Sequence, residues 1–314
     1  MTIKGKGGIS AKIVADSVSP EGKRVTTFEL EFHRFLLPEF NTHRMFSRNA
    51  ASSRAIPVPK MIEHVEQHTA MPIHWGANQK GMQADNECDN YIAEHNAEFS
   101  REAWWSYSAC QAMECAERFH ESGYHKQIVN RLLEPFQFIK VVCTATEYDN
   151  FFWLRNHPDA QPEIKELAAC MWEAQRQSKP KGLKENEWHL PYVESCISSQ
   201  GICYFISHEE GPEWLSTEDA IKVSASCCAQ VSYRLTDNSL EKAKKIYQML
   251  VESKPVHASP FEHQCVPMPS DVSLETKGVT GYNNSLGFVS GNFAGWTQHR
   301  QLIDEHTCWN YEPE

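Results

Sequence analysis

Fourteen residues, Asn41-Thr-His-Arg-Met-Phe-Ser-Arg-Asn-Ala-Ala-Ser-Ser-Arg54, hold three arginines, one histidine, three serines and two asparagines, with no acid among them. A segment of that kind cannot enter an apolar core, because its polar groups would lose their partners. It can wrap an anion. Arginine offers a planar fork to phosphate, and serine hydroxyls and backbone N–H groups fill the remaining acceptor positions. Read alone, the stretch is either a solvated basic loop or a pocket for a small anion. Three further places carry candidate chemistry. Arg131 sits in Asn130-Arg-Leu-Leu-Glu-Pro135, Arg155 closes Asn150-Phe-Phe-Trp-Leu-Arg155, and His257-Ala-Ser-Pro-Phe-Glu-His263 lies far downstream. On their own terms Arg131 reads as a surface ion-pair residue, worth little to stability. Arg155 reads as a cation complementing a helix C-terminus. Most of the 15 histidines must be incidental, and the spacing of His257 and His263 is poor for zinc, so no metal site is expected.

The elements that must position these residues are legible in part. Ile13 and Val14, a Ser19-Pro-Glu-Gly22 turn, and the alternating run Val25–His33 predict two strands. A short helix then leads into the basic stretch. Pro57 and Pro59 predict an extended segment after Arg54. A short helix is expected over 60–80, before a loop at Trp75 and Gly76, and a long one over 86–121 that stops at Gly123. Segment 125–142 is amphipathic and interrupted by Pro135. Thr144 is placed to cap a helix over 147–157, and another helix follows over about 160–177. Residues 178–216 are rich in Lys, Pro, Gly and Ser without periodicity and read as a connector. Ser216, with Asp219 three positions on, predicts a helix through Ala229. Leu240, Ala243, Ile246, Tyr247 and Leu250 form one helical stripe over 239–253. Ser259 reads as an N-cap before Pro260. Glycine-rich 270–292 reads as loop, and 293–306 as helix.

Composition bounds the class. Of 314 residues, 41% are hydrophobic and 23% charged, the profile of a soluble globular chain. The net charge of -11 argues against a nucleic-acid binder, which needs a basic face. Basic residues gathered in one stretch of an acidic chain point instead to a local anion pocket. No apolar run approaches a membrane span, and the N-terminus, Met-Thr-Ile-Lys-Gly-Lys-Gly-Gly, does not read as a signal peptide. Eleven cysteines without a Cys-x-x-Cys motif are expected to be reduced thiols in a cytoplasmic protein.

At this point the chain resembles the flavin-dependent thymidylate synthases. Their signature, Arg-His-Arg-x-x-Ser-x-Asn-Glu-x-Ser-x-Arg, keeps its spacing here as Thr42-His43-Arg44-x-x-Ser47-x-Asn49-Ala50-x-Ser52-x-Arg54. Thr42 replaces the first arginine and Ala50 the glutamate. A second block matches through Arg131, Asn150, Arg155 and Ala160-Gln-Pro-Glu-Ile164. A third matches through Ala229-Gln-Val-Ser232 and His257–His263. In the family that third block precedes the signature, whereas here it follows it, trailed by Trp296-Thr-Gln-His-Arg300, which looks like a degenerate second signature. The chain therefore resembles a permuted or partly duplicated, phage-like member. Three blocks of matched spacing carry far more weight than a single motif.

The resemblance implies an α+β fold, with an antiparallel or mixed sheet, long helices and two related halves. Residues 1–180 would bear the signature and the nucleotide and FAD site, 181–216 the connector, and 217–314 the second half with the Ser-Pro-Phe-Glu-His block. It implies reductive methylation of dUMP to dTMP with methylene tetrahydrofolate, FAD and NADPH, and no cysteine nucleophile. Such cofactor chemistry leaves positioning and electrostatics to the protein. By residue match, Ser52, Arg54 and Arg131 would bind the nucleotide phosphate. Arg155 would bind uracil and stabilise charge developing on it, as the catalytic residue. His43, Arg44, Ser47, Asn49, Asn150, His257, Ser259 and Glu262 would hold the FAD. Arg34 or Arg48 could replace the arginine missing at Thr42. His299 and Arg300 are expected to be structural. Family members are homotetramers with shared sites, so a homo-oligomer, dimer or tetramer, is expected. The alternatives are the same fold acting on dCMP or leaving a hydroxymethyl group, and a non-catalytic flavin- or nucleotide-binding protein.

Overall fold

The computed structural model describes all residues except 1, 82, 200, 232–236 and 313–314. Along the chain run β1 (Thr2–Lys4), β2 (Ser10–Val18), β3 (Arg24–His33), α1 (Leu37–Phe40), β4 (Ser47–Ala50) and α2 (Val58–Gln67). Then come the hairpin β5 (Ile92–Glu94) and β6 (Ala97–Phe99), α3 (Arg101–Glu121), α4 (Lys126–Val129), β7 (Phe138–Ala145), α5 (Asp149–Arg155), α6 (Pro162–Gln177) and β8 (Lys181–Gly182). The remainder holds β9 (Glu194–Ser198), β10 (Gly201–His208), β11 (Gly211–Leu215), α7 (Thr217–Gln230) and α8 (Leu240–Glu252). Short strands close the chain: β12 (Cys265–Pro267), β13 (Gly281–Asn283), β14 (Gly287–Ser290), β15 (Phe293–Ala294) and β16 (Trp296–Gln298). The fold is thus mixed α and β, with several antiparallel sheets.

The central sheet runs β1-β2-β3-β7-β4, antiparallel throughout, with β8 added parallel to β2. Its period-2 alternation sends successive side chains to opposite layers. Phe28, Leu30 and Phe32 of β3 join Ile139, Val141 and Cys143 of β7, and all pack under Ile164, Leu167, Ala168 and Met171 of α6. The intervening residues face a second layer built from the C-terminal part. Val142 meets Cys228 and Val231, and Val25 meets Cys265, Phe293 and Trp296. Both faces are covered, which is why β3 and β7 are almost wholly buried and β3 departs from the half-buried strand its alternation predicts. The second layer is partly polar. Ser17, His189, Thr27, Thr144 and His263 form one buried chain of hydrogen bonds, with links of 2.8, 2.9, 2.7 and 2.8 Å.

Several elements follow their local signals. The 19–22 turn joins β2 to β3, with Gly22 at φ 76°, where a side chain would be strained. The Ser216 hydroxyl caps α7 by accepting from the Asp219 N–H at 3.1 Å, and α8 buries Ala243 and Leu250 of its stripe.

Others differ, each for a physical reason. The long helix expected from 86 begins only at Arg101, where Ser100 caps it. Before it, His95 at φ 55° turns the β5–β6 hairpin. Pro57 and Pro59 do not hold the chain extended: Pro57 is the N-cap of α2 and Pro59 lies in its first turn, where a missing N–H costs nothing. Thr144 caps no helix; it lies in β7, its hydroxyl between Thr27 and His263, and α5 starts later at Asp149. Ser259 is not an N-cap but opens a four-residue 3-10 turn after Ala258. The segment read as an aperiodic connector contains the β9–β10–β11 sheet, whose Tyr204 and Ile206 pack against α7 residues. Gly201 and Gly211 take positive φ where its strands begin. The loop-like 270–292 includes the β13–β14 hairpin. The helix expected over 293–306 is replaced by β15, β16 and a short 3-10 turn. Gly295 at positive φ breaks it, and buried Trp296 donates its indole N–H to the Lys23 carbonyl at 3.1 Å.

Candidate functional site

The basic stretch becomes the outer strand of the central sheet. β4 pairs with β7 on one side, Ser47 opposite Thr144 and Asn49 opposite Val142. An edge strand leaves a row of backbone groups to be covered. Here the C-terminal part meets that edge. Gln298 donates its amide to Ser47 Oγ, the Glu262 carbonyl and Asn292 Oδ1, each at 3.1 Å. Asn292 in turn donates to the Met45 carbonyl at 2.9 Å, and Asn49 Nδ2 reaches the Cys228 carbonyl at 3.4 Å. The third block of the sequence is thereby brought onto the signature strand, although Ser47 and Gln298 lie 251 positions apart.

Between the end of β4, α4 and the α7–α8 pair opens a cleft of about 1210 Å³. Among the described residues its lining cations are Arg34, Arg48, Arg54, Arg131 and Lys242, and no lining residue is an aspartate, glutamate or cysteine, although Glu134 pairs with Arg34 and Arg131 and Asp237 with Lys242. One wall is apolar, made by Leu37, Ile246, Met249, Leu250 and Pro260. The floor is the turn Ser52-Ser53-Arg54. The Ser52 hydroxyl accepts from the Arg54 N–H at 3.3 Å, and the Ala55 N–H returns to the Ser52 carbonyl at 3.0 Å. Buried Asn130 clamps this turn, donating to the carbonyls of Ser53 and Ile56 at 2.7 and 2.9 Å. Lys126 Nζ donates to the Ala55 carbonyl at 2.9 Å. Arg54 itself is exposed and pairs with no acid among the described residues.

Of the residues singled out in the sequence, the cleft gathers Arg34, Arg48, Asn49, Ala50, Ser52, Arg54, Arg131, His257 and Ser259. Arg131 also makes the surface ion pair its spacing suggested, to Glu134 at 2.7 Å. The others are placed elsewhere. Arg155, the last residue of α5, pairs with Glu39, and its Nε donates to His43 Nε2 at 3.0 Å. His43 is buried, and its pKa is lowered to about 4 by burial and by the charges of Arg155 and Arg48. It is therefore neutral near pH 7, as an acceptor from Arg155 must be. Ser47 is buried and its hydroxyl engaged with Asn292 and Gln298. Glu262 pairs with Arg300. Arg44 and Asn150 are exposed outside the cleft lining, and Ser232 lies outside the described residues.

Residues of the degenerate second signature are engaged within the protein. His299 stacks on Tyr247 and donates to or accepts from its hydroxyl at 3.1 Å, and burial lowers its pKa to about 4. The cysteines are free, and burial pushes Cys143 and Cys227 up to about 12, far from a nucleophilic thiolate. Thr42 turns its hydroxyl to the Glu39 carbonyl. Arg48 lines the cleft and donates to the carbonyls of Phe40 and His43 at 3.2 and 3.0 Å. Sequence reasoning missed Asn130, Lys242 and Glu134 as parts of the site. Asn130 stood beside Arg131, which was the available signal. Lys242 carried none, because its place depends on how α8 packs.

Residues 19–181, over half of the chain, match the protein family described as thymidylate synthase complementing protein. The match includes β4, the Ser52–Arg54 turn, Arg131 and Arg155. No curated protein matches the chain.

Proposed function

We propose that this chain, which belongs to the flavin-dependent thymidylate synthase family, binds a pyrimidine nucleoside monophosphate, dUMP, in the cationic cleft. There it methylates C5 with methylene tetrahydrofolate as carbon donor, FAD as cofactor and NADPH as reductant. The observation that carries the reading is a cleft lined, among the described residues, by five cations and balanced only in part by Glu134 behind its floor and Asp237 beside Lys242, in a chain of net charge -11. Such a pocket concentrates anions against the sign of the whole surface. Ser52, Arg54 and Arg131 would take the phosphate, with backbone N–H groups of the turn as further donors.

The cleft also suits a flavin. Asn49, His257 and Ser259 offer polar contacts beside an apolar wall long enough for a ring system, and neighbouring cations can meet a pyrophosphate. Ser47, His43 and Glu262 would act indirectly, their side chains being engaged within the protein. Arg44 and Asn150, exposed outside the cleft lining, would reach a cofactor only across a subunit boundary. The flavin, when bound, supplies the hydride that completes the methyl group. The protein's share is to hold the pyrimidine, keep water out and offer positive charge as C5 becomes nucleophilic.

Arg155 is the residue for that last task, working in a cleft completed by a second copy of the chain. Beside it on α5, Trp153 and Leu154 are 73% and 43% exposed, apolar surface that a partner copy would cover. Neutral His43 holds the Arg155 fork in place. The C-terminal block is read as the displaced third block of one site. A second reading rests on Ala50, which lines the cleft where the resemblance puts a glutamate: the same scaffold acting on dCMP or leaving a hydroxymethyl group.

The test is the absorbance spectrum of the purified protein with added FAD, followed by NADPH oxidation on addition of dUMP or dCMP with the folate. A flavin spectrum and dUMP-dependent oxidation yielding dTMP are expected. Turnover of dCMP alone selects the second reading. A colourless protein that ignores FAD leaves a nucleotide-binding protein without this chemistry.

A further inference from the structure

Arg34 has no place in the signature, yet it stands over the floor of the cleft. Its side chain is only 14% exposed. Its NH2 group lies 2.9 Å from Glu134 Oε1, and NH1 reaches the Ala51 carbonyl at 3.5 Å. Nε is buried without an acceptor among the described residues. The same Glu134 oxygen accepts from Arg131 NH1 at 2.7 Å and from Ser53 Oγ at 3.2 Å. One carboxylate oxygen therefore gathers two guanidiniums and a hydroxyl at the turn that presents Arg54.

We infer that Arg34 is a phosphate-site cation supplied by this chain outside the family signature, and that it sets the preference of the cleft for a dianionic phosphomonoester over the uncharged nucleoside. The inference rests on the nucleotide reading given above. The charge balance supports it. Arg34, Arg54 and Arg131 bring three positive charges, and Glu134 removes one, leaving two. A phosphomonoester carries about -1.5 to -2 at neutral pH. Without Arg34 the balance is a single positive charge, and Glu134 loses a partner and repels the ligand. Both changes act in the same direction. A solely structural Arg34, neutralising Glu134 and bonding Ala51, would instead affect nucleotide and nucleoside alike.

The test compares dUMP with deoxyuridine, by calorimetric titration of the full-length protein and of the R34Q and R34K variants. Glutamine keeps donors for Ala51 and Glu134 but loses the charge; lysine keeps the charge but loses the fork. In R34Q the preference for dUMP over deoxyuridine should fall about ten- to a hundredfold, the worth of a hydrogen bond to a charged group. R34K should recover part of it, and deoxyuridine binding should stay at the wild-type level. If wild type prefers dUMP and R34Q prefers it equally, or if R34Q weakens both ligands in the same proportion, the role given to Arg34 is wrong while the nucleotide reading stands. A wild-type protein that does not distinguish dUMP from deoxyuridine overturns both.

Discussion

Arg54 is the cation with most to lose or gain at this site, because nothing among the described residues neutralises it. Arg54→Ala is expected to raise KM for dUMP about ten- to a hundredfold, from the loss of a charge-assisted contact. Flavin content should stay unchanged. Steady-state kinetics beside a flavin spectrum check this, and unchanged KM would remove Arg54 from the phosphate site. Arg155→Ala should instead lower kcat, since its contact is proposed to strengthen only as charge develops on the pyrimidine. The partnership with His43 adds a second readout. His43→Ala frees the Arg155 fork from one of its two fixed contacts, so it should lower kcat in the same sense but less. A His43 variant more damaged than Arg155→Ala would mean that His43 has a task of its own.

At the scale of elements, what matters is how β4 is sheathed. A strand with one free edge is held by side chains from β16 and the loop before β15, through the single amide of Gln298 and its neighbour Asn292. Gln298→Ala leaves the Glu262 carbonyl short of a buried donor and Ser47 with Asn292 as its remaining one. That should cost about 1–3 kcal/mol, the penalty for unmade buried hydrogen bonds. A chemical-denaturation midpoint well below wild type, with an unchanged slope, is the expected result; an unaltered midpoint would show that the edge is held by packing alone. Elements with local signals were readable in advance: the turned pair β2–β3, the Ser216-capped α7 and the striped α8. The hairpin β5–β6 and strands β9–β11 and β16 were not. The β9–β11 sheet buries Tyr204 and Ile206 against α7 and β16 pairs with β12, contacts of which propensity carries no record, while β5 and β6 pair with each other through the turn at His95.

The whole molecule buries histidines in neutral form, His189 and His263 against the covered side of its sheet, His43 beside Arg155 and His299 beside Tyr247. His43, His189 and His299 are lowered from 6.5 to about 4, and His263 to about 3, with burial the leading cause for each. In the unfolded chain these rings take up protons near pH 6.5, whereas the folded protein refuses them until about pH 4. Between those values the unfolded state binds more protons, so stability must fall as the pH is lowered through that window. Scanning calorimetry should show a steep drop in Tm from pH 6.5 to pH 4. His299→Gln should make the drop shallower, whatever it does to Tm at pH 7. A flat profile across the window would mean that these rings are not held neutral. Light scattering addresses the assembly at the same scale: a homo-oligomer is expected, and a strict monomer with full activity would rule out the proposed sharing of Arg155.

The sequence by itself determined the chemistry on offer: a basic stretch without acids in an acidic chain, and the motif blocks around Arg54, Arg131 and Arg155 that fall inside the family match. Spacing within a block is local, so it persists whatever the topology. Only the tertiary structure decided which of those side chains remain available. It laid a block from the far end of the chain on the edge of β4, gathered Arg34 and Lys242 with Arg54 and Arg131, and engaged His43, Ser47 and Glu262 in internal bonds. Such pairings join residues as far as 251 positions apart. They exist only once both layers close on the sheet, because a buried polar group takes whichever partner the packing brings within reach.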